Sequence, residues 1–216
     1  MRCLGIETSS RRGSVALVED GQLVALSSHE QLNRHGEQML PLVEALLAEA
    51  SWPITSLDRL GVGIGPGSFT GLRIGVALAN GIALGIDRPL VGVGSLRAMV
   101  RAAPGGQPVA ALLDARRDEF FVSVFDAQRR ELVPPRAIAQ QGAELAVREL
   151  GGPGLVVVGE AARGWSAAIS GERYDLPCAS TTALIAGEVD PAQAPAIPHY
   201  VRGANAVKPE LPPSPF

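Results

Sequence analysis

Lysine is almost absent from this 216-residue chain: Lys208 stands alone, and arginine supplies the rest of the 19 basic side chains. That excludes a Walker lysine, a Schiff-base lysine or a strand lysine reaching an ATP phosphate anywhere in the body of the protein. Cysteine is nearly as scarce. Cys3 and Cys178 stand far apart at no metal-ligand spacing, and this usage suggests a reduced cytoplasm as the compartment. The three histidines, His29, His35 and His199, lack the helical pairing of a metalloprotease site, so no metal is expected. No Gly-x-Ser-x-Gly elbow is present either, since "GSFTG" spaces its glycines differently. An excess of positive charge is missing as well. The formal net charge of −3 gives no basic field, which argues against stand-alone nucleic-acid binding. The opening "MRCLGIETSS" has no charged-then-apolar leader, and the longest apolar stretch, Ile74–Ile86, is too short for a bilayer, so no membrane association is expected.

What is there reads as a folded α/β protein, with 46% hydrophobic and 19% charged residues. "CLGIET", "SVALVED" and "QLVALSS" read as three strands, the last two joined by the Asp20-Gly21 hairpin signal. "GEQMLPLVEALLAEA" is a helix with Met39, Leu42, Val43, Leu46 and Leu47 on one face, provided Pro41 sits in its first turn or kinks it. Strand "RLGVGIGPG", helix "SFTGLRIGVALANGIALGI", strand "PLVGVGS" and helix "SLRAMVRAA" follow, giving βββαβαβα. After the hinge-like "APGGQP", the order starts again with "VAALLDA", "FFVSVFD" and "RELVPP", then a helix, the strand "GLVVVGE" and a shorter helical tail. The expected division is a first lobe over 1–103, an abbreviated second lobe over 104–205, and a proline-rich tail over 206–216 without regular structure.

Three features could carry chemistry. "GIGPGSFTGLRIG", Gly63 to Gly75, is neither a Walker motif nor a dinucleotide fingerprint. By spacing alone it is either a phosphate-holding turn or a strand-to-helix turn that needs glycine for close packing. The helix after it carries a row of small residues, Gly71, Gly75, Ala79 and Ala83. Such a row packs either on its own sheet or on a partner helix. Glu7 and Asp114 each close the first strand of their lobe, where acids hold a magnesium ion through water or merely cap turns.

Taken together, "IETSS", "GPGSFTGLRIGVALANGIALG", "LLDARRDEFFVSVF" and "PHYVRGANAVKP" resemble, in order and spacing, the bacterial TsaB (YeaZ) family over nearly the whole chain. The resemblance implies a two-lobed actin, Hsp70 and sugar-kinase (ASKHA) fold made of two RNase H-like lobes, the second abbreviated. It also implies a cytoplasmic, non-catalytic subunit that pairs with TsaD and is joined by the ATPase TsaE. Their reaction is threonylcarbamoyl transfer to the adenosine beside the anticodon of tRNAs reading codons that start with A. Alone, such a subunit is expected to form a homodimer, and to meet tRNA only through the complex. Under the same resemblance Glu7, Thr8, Ser9, Gly65, Gly67, Ser68, Thr70 and Asp114 are the remnant of a nucleotide site whose usual aspartate is here Glu7. No catalytic residue and no cofactor are expected, beyond weak ATP and magnesium in the cleft or at an interface shared with TsaD. The partner surface is expected on Met39, Leu42 and Leu46 beside a groove formed by Gly71, Gly75, Ala79 and Ala83. Two alternatives stay open: an active ATP-dependent kinase or carbamoyltransferase of the same fold, and a homodimeric binding protein with no enzyme partner.

Overall fold

The computed structural model describes residues 1–31 and 34–201; the expected proline-rich tail, 206–216, lies outside the described residues. Strand β1 (Arg2–Glu7) runs antiparallel to β2 (Gly13–Glu19), which turns back into β3 (Gln22–His29). Asp20 and Gly21 make that turn with φ of 50° and 76°, the paired left-handed geometry that suits the twist of a hairpin. Helix α1 (His35–Glu49), strand β4 (Arg59–Gly65), helix α2 (Phe69–Ile86), strand β5 (Leu90–Gly94) and helix α3 (Ser95–Ala102) complete the first half. Its sheet is ordered β3-β2-β1-β4-β5, with β4 parallel to both β1 and β5.

The second half repeats the pattern. Strands β6 (Val109–Arg116), β7 (Glu119–Phe125) and β8 (Glu131–Ala139) form an antiparallel meander, α4 (Ala143–Gly151) follows, and β9 (Val156–Val158) joins β6 in parallel. The order β8-β7-β6-β9 matches the first four strands of the larger sheet, and the fifth has no counterpart among the described residues. This is the expected mixed α/β arrangement of two RNase H-like halves with the second abbreviated. A short helix, α5 (Glu172–Asp175), a longer one, α6 (Ala179–Glu188), and a single 3-10 turn, Pro191–Gln193, follow among the described residues.

Strand alternation divides the first sheet into two unlike faces. Leu4, Ile6, Leu17, Leu60 and Val62 pack against Met39, Val43 and Leu46 of α1 and Val76 and Ala79 of α2. On the other face Gly5 and Gly61 leave the sheet bare, and α6 lies directly on it. A Cβ on Gly5 would collide with Ala179 and Ala183, and one on Gly61 with Thr182 and Ala186. The helix written last in the chain is therefore buried on the sheet written first.

Three sequence expectations need correction here. Pro41 lies in the second turn of α1 rather than the first, on an exposed flank where its missing N–H costs least. Helix α2 extends beyond the apolar run Ile74–Ile86: its 18 residues, at a mean hydropathy of 1.5, are long and apolar enough to cross a membrane by length and composition, and 33% of it is buried within the chain. The third correction concerns the partner groove. Gly71, Gly75, Ala79 and Ala83 face inward and are buried, as are Met39 and Leu46, while Leu42 packs half-buried against the same core. The row of small residues lets α2 approach its own sheet and the turn after β1, so no open groove exists along it. Ala79 is 0% exposed. Ala79→Arg would force an unpaired charge into the core at about 3–5 kcal/mol, so the variant is expected to lose its cooperative thermal melt by circular dichroism.

Candidate functional site

Glu7 ends β1 with its side chain on the α6 face, enclosed and 0% exposed. Its Oε1 accepts from the Ser9 N–H at 2.8 Å, and Oε2 meets Thr182 Oγ1 of α6 at 3.5 Å. The third wall is Gly63, where a Cβ would overlap the carboxylate. Burial pushes the Glu7 carboxyl above its ordinary 4.5, and hydrogen bonds from Ser9, Thr8 and Thr182 offset this only in part. Thr182 has a single hydroxyl proton, and the Cys178 carbonyl competes for it at 3.2 Å. Magnesium held through water needs a carboxylate face open to solvent, and Glu7 offers none.

The glycine block serves the same turn. Thr8 Oγ1 donates to the Gly71 carbonyl at 2.8 Å, and the Ser68 N–H donates to the Ser9 carbonyl at 2.6 Å. A Cβ at Gly67 would strike the Ser9 carbonyl, and one at Gly71 or Gly75 would strike Thr8. Ser68 caps α2 by accepting from the Gly71 N–H at 3.2 Å. At the N-terminus of α2, the end that in a phosphate-binding turn faces the anion, Thr8 and Ser9 instead bond the Gly71 carbonyl and the Ser68 N–H. Gly65 opens the turn at φ +102°, joined to Pro66 by a cis peptide, and Thr70 is exposed. Asp114 stands apart from this cluster. It is half exposed, and its Oδ1 accepts from the Arg116 N–H at 2.8 Å within its own hairpin. Glu7 ends β1 as expected, whereas Asp114 lies two residues inside the end of β6; each accepts from the N–H two residues on, yet the structure encloses one and leaves the other in solvent.

Arg11 and Arg12, which the sequence reading passed over, tie this turn to the second half. Arg11 grips Glu160 with Nη2 at 2.7 Å and Nε at 3.3 Å, and Glu30 with Nη1 at 2.6 Å. Glu160 first, and then Glu30, hold its guanidinium above the ordinary arginine value. Arg12 is only 5% exposed. It donates to the Glu172 carbonyl at 3.2 Å and the Leu176 carbonyl at 2.9 Å, at the end of α5. A cavity of about 600 Å³ lies beside these ties, walled by Arg11, Arg12, Glu30, Arg163, Trp165 and Asp175 among others. Arg163 pairs with Asp175, so each arginine in the wall is already bound to a carboxylate or carbonyl of the chain.

The architecture has close relatives. YeaZ from Pseudomonas aeruginosa matches with a TM-score of 0.75 at 25% identity, covering 92% of this chain and 99% of that one. The profile of the family described as TsaD, tRNA N6-adenosine threonylcarbamoyltransferase, matches residues 25–179. The chain belongs to this TsaD family, on its TsaB (YeaZ) side. Among curated relatives, the tRNA threonylcarbamoyladenosine biosynthesis protein TsaB of Escherichia coli K12 is 39% identical over 126 residues, which is 56% of this chain and 53% of that protein. The match therefore spans about half the length of such relatives. The activator of 2-hydroxyisocaproyl-CoA dehydratase from Clostridium difficile, solved with bound ADPNP, shares the fold alone, at a TM-score of 0.56 and 12% identity.

In this family member the residues expected to form a nucleotide remnant divide. Glu7, Thr8, Ser9, Gly67 and Ser68 come together as a packed turn, while Thr70 and Asp114 point elsewhere. No group of three or more histidine, cysteine or acidic side chains suited to a metal occurs among the described residues. Because the folded-state value of Glu7 is raised, the stability tied to its proton is complete below about pH 4.5 and is lost as pH rises through the folded value. Glu7→Gln keeps an acceptor for Ser9 and removes the titration. Its melting temperature is expected to exceed that of the wild type at pH 8, with the gap closing toward pH 5, read by calorimetry at both pH values.

Proposed function

We propose that this chain acts as a TsaB-type partner subunit, without catalysis of its own, in threonylcarbamoyl transfer to the adenosine beside the anticodon of tRNAs reading codons that start with A. In this reading TsaD is its partner and the transferase, TsaE joins the pair, and tRNA is met only through the complex. The setting is cytoplasmic, no cofactor is held, and the free chain forms a homodimer through the face it offers TsaD.

One observation carries the reading: the outward side of α2. Ala77, Gly81 and Gly85 follow one another at helical spacing there, all exposed, beside Leu84 at 82% exposure. Around Gly81 and Gly85 the space for a Cβ is open, with no atom within 4 Å. A glycine inside an exposed helix costs about 0.5–1 kcal/mol relative to alanine. Nothing among the described residues repays that cost, whereas a second helix laid along α2 would use the bare backbone for close contact. Leu40 of the neighbouring helix α1 is exposed as well. The enclosed Glu7 and the occupied turn after β1 support the absence of catalysis.

Gly81 separates pairing from folding. Gly81→Ala should stabilise the isolated chain by about 0.5–1 kcal/mol, read by denaturant melts. Gly81→Arg should fold as the wild type does but weaken binding to TsaD of the same organism at least about 100-fold. It should also abolish threonylcarbamoyladenosine formation with TsaD, TsaE and the donor-forming enzyme. A folded Gly81→Arg that pairs normally would place the interface elsewhere.

A further inference from the structure

His35 opens α1 with its imidazole fully buried. Its Nε2 lies 3.0 Å from the Ser10 carbonyl, in the turn after β1, and its Nδ1 lies 3.3 Å from Nε2 of His29, at the end of β3. His29 Nδ1 in turn accepts from the Gln31 N–H at 3.2 Å. The two rings meet edge-on, centroids 5.0 Å apart at 62°. Backbone groups fix both ends of this line. The Gln31 amide can only donate, so His29 Nδ1 is bare; the Ser10 carbonyl can only accept, so His35 Nε2 carries a proton. One arrangement then satisfies the middle: His29 Nε2–H donates to a bare His35 Nδ1. Both rings are neutral, and a further proton has no place. On His29 Nδ1 it would face the Gln31 N–H, and on His35 Nδ1 it would face His29 Nε2–H.

His35 is enclosed and His29 half-buried. His35 sits in the first turn of α1, where the helix dipole is positive. Burial, and then the neighbouring His35, lower the His29 value below its ordinary 6.5. Gly13 of β2 and Met39 of α1 close the pair in, and a Cβ on Gly13 would come within 2.6–2.9 Å of His29 Nε2, His35 Nδ1 and the Met39 sulfur. The charged groups nearby are already matched: Glu30 with Arg11, Arg34 with Glu37, and Arg12 with the carbonyls at the end of α5. No carboxylate is left over to favour an imidazolium.

We propose that the His29–His35–Ser10 line is a proton-operated clasp, which in its neutral state ties the start of α1 to the turn bearing Arg11 and Arg12 and which one added proton parts. It links an exposed helix to the ties between the two halves of the chain. The clasp stands whether or not α1 and α2 dock TsaD.

Long-range proton–nitrogen correlation NMR on the whole chain tests it. At pH 8 both rings should show the Nε2–H tautomer. On acidification His29 should titrate below the ordinary 6.5, with amide shifts at Gln31, in the Ser10–Gly13 turn and at the start of α1. His29→Gln offers a side-chain amide that can turn to accept from a protonated His35 Nδ1. In that variant acidification should leave the Ser10–Gly13 amides unmoved. An Nδ1–H tautomer on either ring at pH 8, titration of His29 at or above 6.5, or an acid profile unchanged in His29→Gln would overturn the proposal. The tautomer readout uses the wild-type chain and decides the matter even if the variant folds poorly.

Discussion

The five residues between β1 and β2, Thr8 to Arg12, bond to helices α1 and α2 and to the second half of the chain, and these elements are tied together through them. Thr8 and Ser9 hold the start of α2 through Gly71 and Ser68, Ser10 receives His35 from α1, and Arg11 and Arg12 reach Glu160 and the end of α5. A buried polar group must find a partner or cost a large share of the few kcal/mol that keep a domain folded. Here the partners found are internal, while Ser9 Oγ and Arg12 Nε are buried without one. In a phosphate-binding turn the same backbone groups would be spent on a ligand; in this one they are spent on the fold.

Much of this arrangement was legible in the sequence, and the reasons for the rest are specific. Strand alternation, the Asp20-Gly21 turn and the repeated order of elements give both sheets, because each signal is local. The two rows of small residues on α2 could not be told apart that way. Gly71, Gly75, Ala79 and Ala83 face in, while Ala77, Gly81 and Gly85 face out, and α2 is apolar enough on both sides that periodicity does not choose between them. What separates the rows is contact: the inner glycines touch Thr8, and the outer ones touch nothing.

Glu7 shows the same limit more sharply. Its acid was visible at the strand end, but its enclosure comes from Thr182, 175 residues further along, and from Gly63 on the neighbouring strand. Alternate glycines at Gly61 and Gly63 were the one available hint that something packs flat on that face. Arg12 had no signal at all, since its partners are carbonyls of α5 fixed only by the tertiary fold. Architecture therefore does not hand over chemistry. The Clostridium difficile activator holds ADPNP on a similar frame, whereas this chain fills the corresponding kind of turn with its own side chains.

The most direct test of that claim is isothermal titration of the whole chain with ATP and magnesium at pH 7.5. With the Thr8–Arg12 turn bonded internally and Glu7 enclosed, no saturable heat is expected up to millimolar nucleotide. One-to-one binding in the low micromolar range, about −8 kcal/mol, would contradict the account, because Glu7 is enclosed and the arginines of the cavity wall are already paired within the chain.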